Sequence, residues 1–191
     1  MASCLLGSLL YFTLKIMSTE TYIAFDAYGI KDKVNSNWPY LRNLLAWQHS
    51  FPERFGFNDL EDMVKLLELG DDLLETRIQK FLIKKIEAAD NLLVVSSAQM
   101  NVESPILNWQ IKQAVQTYRL PVIVAYAGVS TLTPGVIEEN LCHLPVKLRE
   151  YMAEGSAKVA HVPLNMDKVE RACKFYSRRE GHYAWSDKTI F

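Results

Sequence analysis

Asp90-Asn91-Leu92-Leu93-Val94-Val95-Ser96-Ser97 is the stretch on which the fold turns. Four apolar residues, two of them β-branched, stand between polar pairs, which is the length of a strand and too short for a helix. A strand with one wet face alternates apolar and polar residues, whereas an unbroken apolar run is covered on both faces, as in a parallel sheet packed between helices. The segment before it is helical in pattern. Leu74, Ile78, Phe81, Leu82, Ile86 and Ala89 recur at three- and four-residue spacing, with Asp71 or Asp72 as N-cap and Lys84 and Lys85 near the carboxyl end. After it, a polar loop from Ser96 to Pro105 leads to a second stripe, Ile111, Ala114, Val115 and Tyr118, and Pro121 opens the buried run Val122-Ile123-Val124-Ala125-Tyr126. Strand, helix and strand in this order make the βαβ unit of a parallel sheet.

Working outward, Tyr22-Ile23-Ala24-Phe25 reads as the first strand, followed by a polar loop to Asn37 with Gly29 at its turn. Trp38, Leu41, Leu44, Leu45 and Gln48 then mark a helix, with Pro39 in the first turn, where its missing N–H costs nothing. Phe55-Gly56-Phe57 is a short strand, and the acidic Asn58 to Asp62 begins a long connection or a short helix. Beyond Gly128 the chain reads as loop, punctuated by Pro134-Gly135 and Pro145, until Val159-Ala160-His161-Val162 offers a short edge strand. Asn165 caps a last helix carrying Met166, Val169, Cys173 and Tyr176. The expected architecture is α/β: a flavodoxin-like, doubly wound, mainly parallel sheet with helices on both faces. It occupies residues 18–178, with an apolar leader or extra helix at 1–17 and a charged and aromatic tail at 179–191.

With 191 residues and 49% hydrophobic composition, the chain has material for one ordinary core. A formal net charge of −1 gives no reason to expect nucleic acid or an anionic membrane as a partner. Cys4, Cys142 and Cys173 are odd in number and far apart, so neither a disulfide framework nor a zinc site is suggested, and a reducing, cytoplasmic setting fits. His49, His143, His161 and His182 are not at ligand spacing, and no metal is expected. Cys4 to Met17 is apolar for about fourteen residues, short of the roughly twenty a membrane-spanning helix requires. No positive charge precedes it and no small-x-small cleavage site follows, so it does not read as a signal peptide. Because Met17-Ser18-Thr19-Glu20 resembles a start, an upstream extension and an added helix both stay open.

Ligand sites in such sheets lie beyond the carboxyl ends of the strands, which directs attention to the loops after Phe25, Val95 and Tyr126. GxGxxG and GxxxxGK[ST] are absent, as are HExxH and GxSxG, so the usual glycine-rich phosphate cradles are missing.

Three segments carry a family resemblance: YIAFDAYGIKDK (22–33), IQKFLIKKIEAADNLLVVSSAQ (78–99) and NWQIKQAVQTYRLPVIVAY (108–126). Together with the Trp-bearing helix they resemble the TIR-like domain of the Thoeris antiphage defence system over Tyr22 to Tyr126, and more weakly over AKVAHVPLN (157–165). The resemblance implies an enzyme that uses NAD as substrate, needs no other cofactor, and breaks the nicotinamide–ribose bond to make a cyclic or derivatised ADP-ribose. That messenger would be sensed by a partner effector protein, and a homo-oligomer is implied as well. Bond cleavage passes through an oxocarbenium-like state that a nearby carboxylate stabilises. Family members supply a Glu within an aromatic-Glu-Ile pattern, and the aligned tripeptide here is Trp109-Gln110-Ile111. Glutamine keeps the shape of glutamate and loses its charge. Losing such a contact costs on the order of 3 kcal/mol, about a hundredfold in rate, so the chain as written is expected to be nearly inactive. An introduced Glu-to-Gln change and a natural loss of catalysis both account for it.

Each further candidate carries two readings. Phe25 stacks on nicotinamide or fills the core. Asp26 and Asp32 contact ribose or nicotinamide, or are solvated caps. Ser96 and Ser97 bond phosphate or ribose, or close an ordinary turn. Trp109 walls the pocket or packs. Glu103 substitutes for the missing carboxylate or complements a helix dipole. Asp59, Glu61 and Asp62 mediate assembly or form a solvated face. Two other functions compete with the NAD-cleaving enzyme: a catalytically dead TIR-like binding or assembly module, and an N-glycosidase related to nucleoside deoxyribosyltransferases.

Overall fold

The computed structural model of the protein describes residues 19–26, 37–57, 74–179 and 189–190, without the side chains of 74–77 and 189–190. The expectations placed on the leader, on Asp32, on Asp59, Glu61 and Asp62, and on an Asp71 or Asp72 cap lie outside the described residues, as does most of the expected tail.

Asn91–Ser96, here β3, is buried at every position, because its apolar run has a neighbour on each side and cover above and below. It pairs in parallel with β1 (Glu20–Ala24), Ala24 lying beside Val94, and with β4 (Val122–Tyr126), Leu93 lying beside Ile123. Outside β1 lies β2 (Gly56–Phe57), and outside β4 lie β5 (Val159–Pro163) and β6 (Thr189–Ile190). The order β2-β1-β3-β4-β5-β6, with every pairing parallel, is that of a flavodoxin-like α/β fold. The sequence places Val159-Ala160-His161-Val162 at the sheet edge; instead Ala160 and His161 pair with Thr189 and Ile190, so part of the expected tail supplies the last strand.

The helices pack around this sheet through the stripes the sequence displays. Helix α1 (Trp38–Ser50) buries Leu41 and Leu44, and its Gln48 donates to the carbonyl of Phe57 at 2.8 Å, fastening the helix to β2. Helix α2 (Leu74–Ala88) buries Leu82 and Ile86, with the Lys85 ammonium over the Phe81 ring. Helix α3 (Pro105–Lys112) buries Leu107, Gln110 and Ile111. It continues as a π-helical turn over Gln113–Thr117, closed by Tyr118 N–H donating to Gln113 O and Leu120 N–H to Ala114 O. The apolar spacing had predicted a plain α-helix there, and the extra residue per turn is a local widening that apolar spacing does not report.

The region after Gly128 departs most from expectation. Instead of loop, the chain forms α4 (Pro134–Asn140), a 3₁₀ turn at Leu141–His143, and α5 (Val146–Ala153). Thr133 caps α4 through Val136 N–H, Pro134 occupies its first turn and Pro145 immediately precedes α5. A proline that breaks a helix interior is equally suited to starting one, so the residues read as punctuation are helix starts. Helix α6 (Met166–Phe175) follows β5 with Asn165 as its cap, the side-chain oxygen accepting from Asp167 and Lys168 N–H, and buries Val169, Ala172 and Cys173.

At the amino edge, the carboxylate of Asp90 is buried. It accepts from Glu20 N–H at 2.9 Å and from Arg179 Nε at 2.7 Å, tying β1 to the chain beyond α6. Among the described residues no helix is long and apolar enough to cross a membrane.

Candidate functional site

Strand order reverses between β1 and β3: from β1 the chain goes outward to β2, then returns across to β3. In a sheet of this kind the carboxyl edge at such a switch point is where a ligand crevice is expected. Asp26 stands just past β1, half-buried. Its Oδ1 accepts from Ser104 Oγ at 2.7 Å, and Ser104 is the N-cap of α3. The Asp26 carboxylate thus sits against the positive end of a helix, where negative charge is favoured.

At the end of β3, Asn37 occupies the N-cap position of α1 without using its side chain as a cap. The amide instead reaches β3, donating to Val95 O at 2.7 Å and accepting from Ser97 Oγ. Ser97 Oγ in turn receives Gln99 N–H at 3.2 Å. The starts of α1 and α3 are in this way held at the two strand ends that flank the switch point. Helix starts so placed carry partial positive charge, one element of an anion site.

Gln110 has no solvent exposure. Its carboxamide is fully engaged by the protein: Oε1 accepts from Tyr22 Oη at 2.7 Å and from Phe25 N–H at 3.4 Å, while Nε2 donates to Phe25 O at 2.8 Å and to Ile106 O at 3.1 Å. That is a clamp between α3 and the end of β1, using both lone-pair directions and both N–H groups of the amide. Tyr22 is itself fully enclosed, and burial pushes its phenol well above the ordinary tyrosine range, so it remains a donor at all physiological pH.

The other candidates divide. Phe25 is in the core, 4% exposed, with its backbone bound to Gln110. Ser96 turns the other way from Ser97, toward the carbonyl of His143. Trp109 is half-buried against the core, and Glu103 is exposed in the loop before α3. Tyr126, at the end of β4, is also committed inward: its hydroxyl is hydrogen-bonded to His161 Nδ1 at 2.9 Å, both residues being buried. The structure thus joins Asp26 to Ser104, and Gln110 to Phe25, and separates Ser96 from Ser97. Asn37, Ser104 and Tyr22 were missed by sequence reasoning. The first two had a signal, a capping residue one or two positions before a proline at a helix start; Tyr22 had none.

No family model matches this chain, and no curated protein matches it.

Proposed function

We propose that the protein is a TIR-like module that binds an NAD-type dinucleotide over the β1–β3 switch point and breaks its nicotinamide–ribose bond, with Asp26 as the carboxylate facing the developing positive charge. Asp26 and the starts of α1 and α3, held at the carboxyl ends of the adjacent strands β1 and β3, support this reading. The start of α1 suits a pyrophosphate, and the half-buried carboxylate at the start of α3 suits an oxocarbenium-like ribose. Nicotinamide departs neutral without a proton, and water or a hydroxyl of the same nucleotide takes its place at the ribose carbon, releasing its own proton to solvent. The product would then be an ADP-ribose signal for an effector of an antiphage system. In this scheme Gln110 belongs to the scaffold and its lack of charge is no obstacle.

A second reading, nucleotide binding or assembly without cleavage, is favoured by one observation: the position at which the family resemblance expects a catalytic Glu is closed to solvent. Calorimetric titration with NAD and chromatographic product analysis, on the native protein and on Asp26→Asn, separate the two. The enzyme reading expects product from the native protein and a loss of about a hundredfold or more in Asp26→Asn, with binding retained. Saturable binding without product gives the second reading. Absence of binding overturns the enzyme reading and leaves assembly as the second reading's remaining form, and undiminished turnover by Asp26→Asn overturns the role of Asp26.

A further inference from the structure

The opposite edge of the sheet carries a cavity of about 500 Å³. Pro121, which leads into β4, and Lys158, which leads into β5, place it at the amino ends of the two strands, away from the switch point at the carboxyl ends of β1 and β3. Its apolar lining is Val115, Leu120 and Pro121, all buried, and its polar lining includes the exposed Gln116, Arg119 and Lys158. The volume is that of a small-ligand pocket. Its lining residues bring two cations and no carboxylate; the nearest acid in sequence, Glu154, lies 3.4 Å from the hydroxyl of Ser156 at the rim. Ser156 Oγ is also within 3.2 Å of Tyr151 O, so it faces the cavity chiefly as an acceptor, suited to a ligand hydroxyl.

Two backbone features converge on the same wall. The π-helical turn Gln113–Thr117 contributes Val115 and Gln116, and Arg119 has φ of 52°, the only positive φ outside glycine among the described residues. A glycine would take that conformation without strain. The left-handed residue ends the helix, with Leu120 N–H donating to Ala114 O, and leaves Arg119 in the cavity lining.

We propose that this cavity binds a phosphate monoester of nucleotide size, its phosphate on Arg119 and Lys158 and its remaining part on the Val115, Leu120 and Pro121 wall. The site is independent of the crevice reading.

Calorimetric titration with adenosine monophosphate and, separately, inorganic phosphate tests it on the full chain, with Arg119→Gly and Lys158→Gln. Arg119→Gly removes the cation at a φ that glycine favours, so the fold is kept, and an unfolding midpoint no lower than that of the native protein verifies this. The native protein is expected to bind the monophosphate saturably and more tightly than inorganic phosphate, and each variant to weaken it about tenfold or more. Absence of saturable binding, equal affinity for the two probes, or failure of either variant to weaken binding overturns the proposal. Binding lost with Asp26→Asn and retained in both cavity variants would place the nucleotide at the crevice and also overturn it.

Discussion

Gln110→Glu replaces a carboxamide that donates twice with a group that, once ionised, cannot donate at all. At Nε2 the new oxygen would face the carbonyls of Phe25 and Ile106, now 2.8 Å and 3.1 Å from the nitrogen, in a spot without solvent exposure. Two acceptors facing two acceptors repel, and burial alone disfavours the charge, so the folded-state pKa of the introduced Glu rises above its unfolded value of about 4.3. Below about pH 4.3 the carboxyl is protonated in both states, its O–H replaces one of the two donors, and the variant trails the native protein by only about 1–2 kcal/mol for the donor still missing. As pH rises, the unfolded chain ionises and the folded one does not. The variant then loses stability at about 1.4 kcal/mol per pH unit until the folded pKa is passed. Between pH 4.3 and pH 7 that adds up to about 3.7 kcal/mol, a large part of the total stability of an ordinary domain. Urea unfolding of both proteins at a series of pH values reads the difference directly. A variant within about 1 kcal/mol of the native protein at pH 7, with a difference that does not change with pH, would refute the reasoning. It would show that the side chain at 110 reaches water, as a catalytic carboxylate there must.

The remaining predictions concern the same framework. Tyr22→Phe removes the stronger of the two donors to Gln110 Oε1 and leaves the longer one from Phe25 N–H, so urea unfolding is expected to show a loss of about 1–2 kcal/mol; an unchanged midpoint would mean the clamp contributes nothing. Leu93→Ala opens a cavity in the central strand, where the side chain is fully buried, and is expected to cost about 2–5 kcal/mol in the same assay. Burial pushes the Cys173 thiol up to about 12, so its reactive thiolate is scarce through pH 9, whereas Cys142 is exposed. Peptide mass mapping after brief alkylation at pH 8 should find Cys142 modified and Cys173 protected until denaturant is added; equal labelling would contradict the packing of α6 on the sheet.

How much was readable before folding depended on the range of the interaction concerned. Leu92 to Val95 and Val122 to Tyr126 announced themselves because a strand buried on both faces must be apolar at every position, and composition records that directly. Helix α6 was equally plain, since an Asn cap and a stripe at Met166, Val169 and Cys173 are local signals. Helices α4 and α5 were not, since each is short and each begins at or just after a proline, a residue that also serves to end structure. The π-helical turn escaped because Ile111, Ala114, Val115 and Tyr118 satisfy an α-helical spacing as well as they do the observed one.

The sequence by itself determined the layered α/β class, the parallel sense of its central strands and the edge at which a crevice would open, because hydrophobic pattern and capping are properties of neighbours along the chain. Asp26 and Ser97 were legible as strand-end residues for the same reason. Only the tertiary structure decided what those residues touch. Ser97 meets Asn37 across 60 positions, Ser104 meets Asp26 across 78, and Gln110 meets Phe25 across 85. A polar side chain reads identically in sequence whether it faces water or is clamped in the core, and its burial depends on which distant backbone arrives to bond it. That is why position 110 looked like a vacant catalytic site in the sequence, and why the folded chain makes it a clamp between a helix and the first strand.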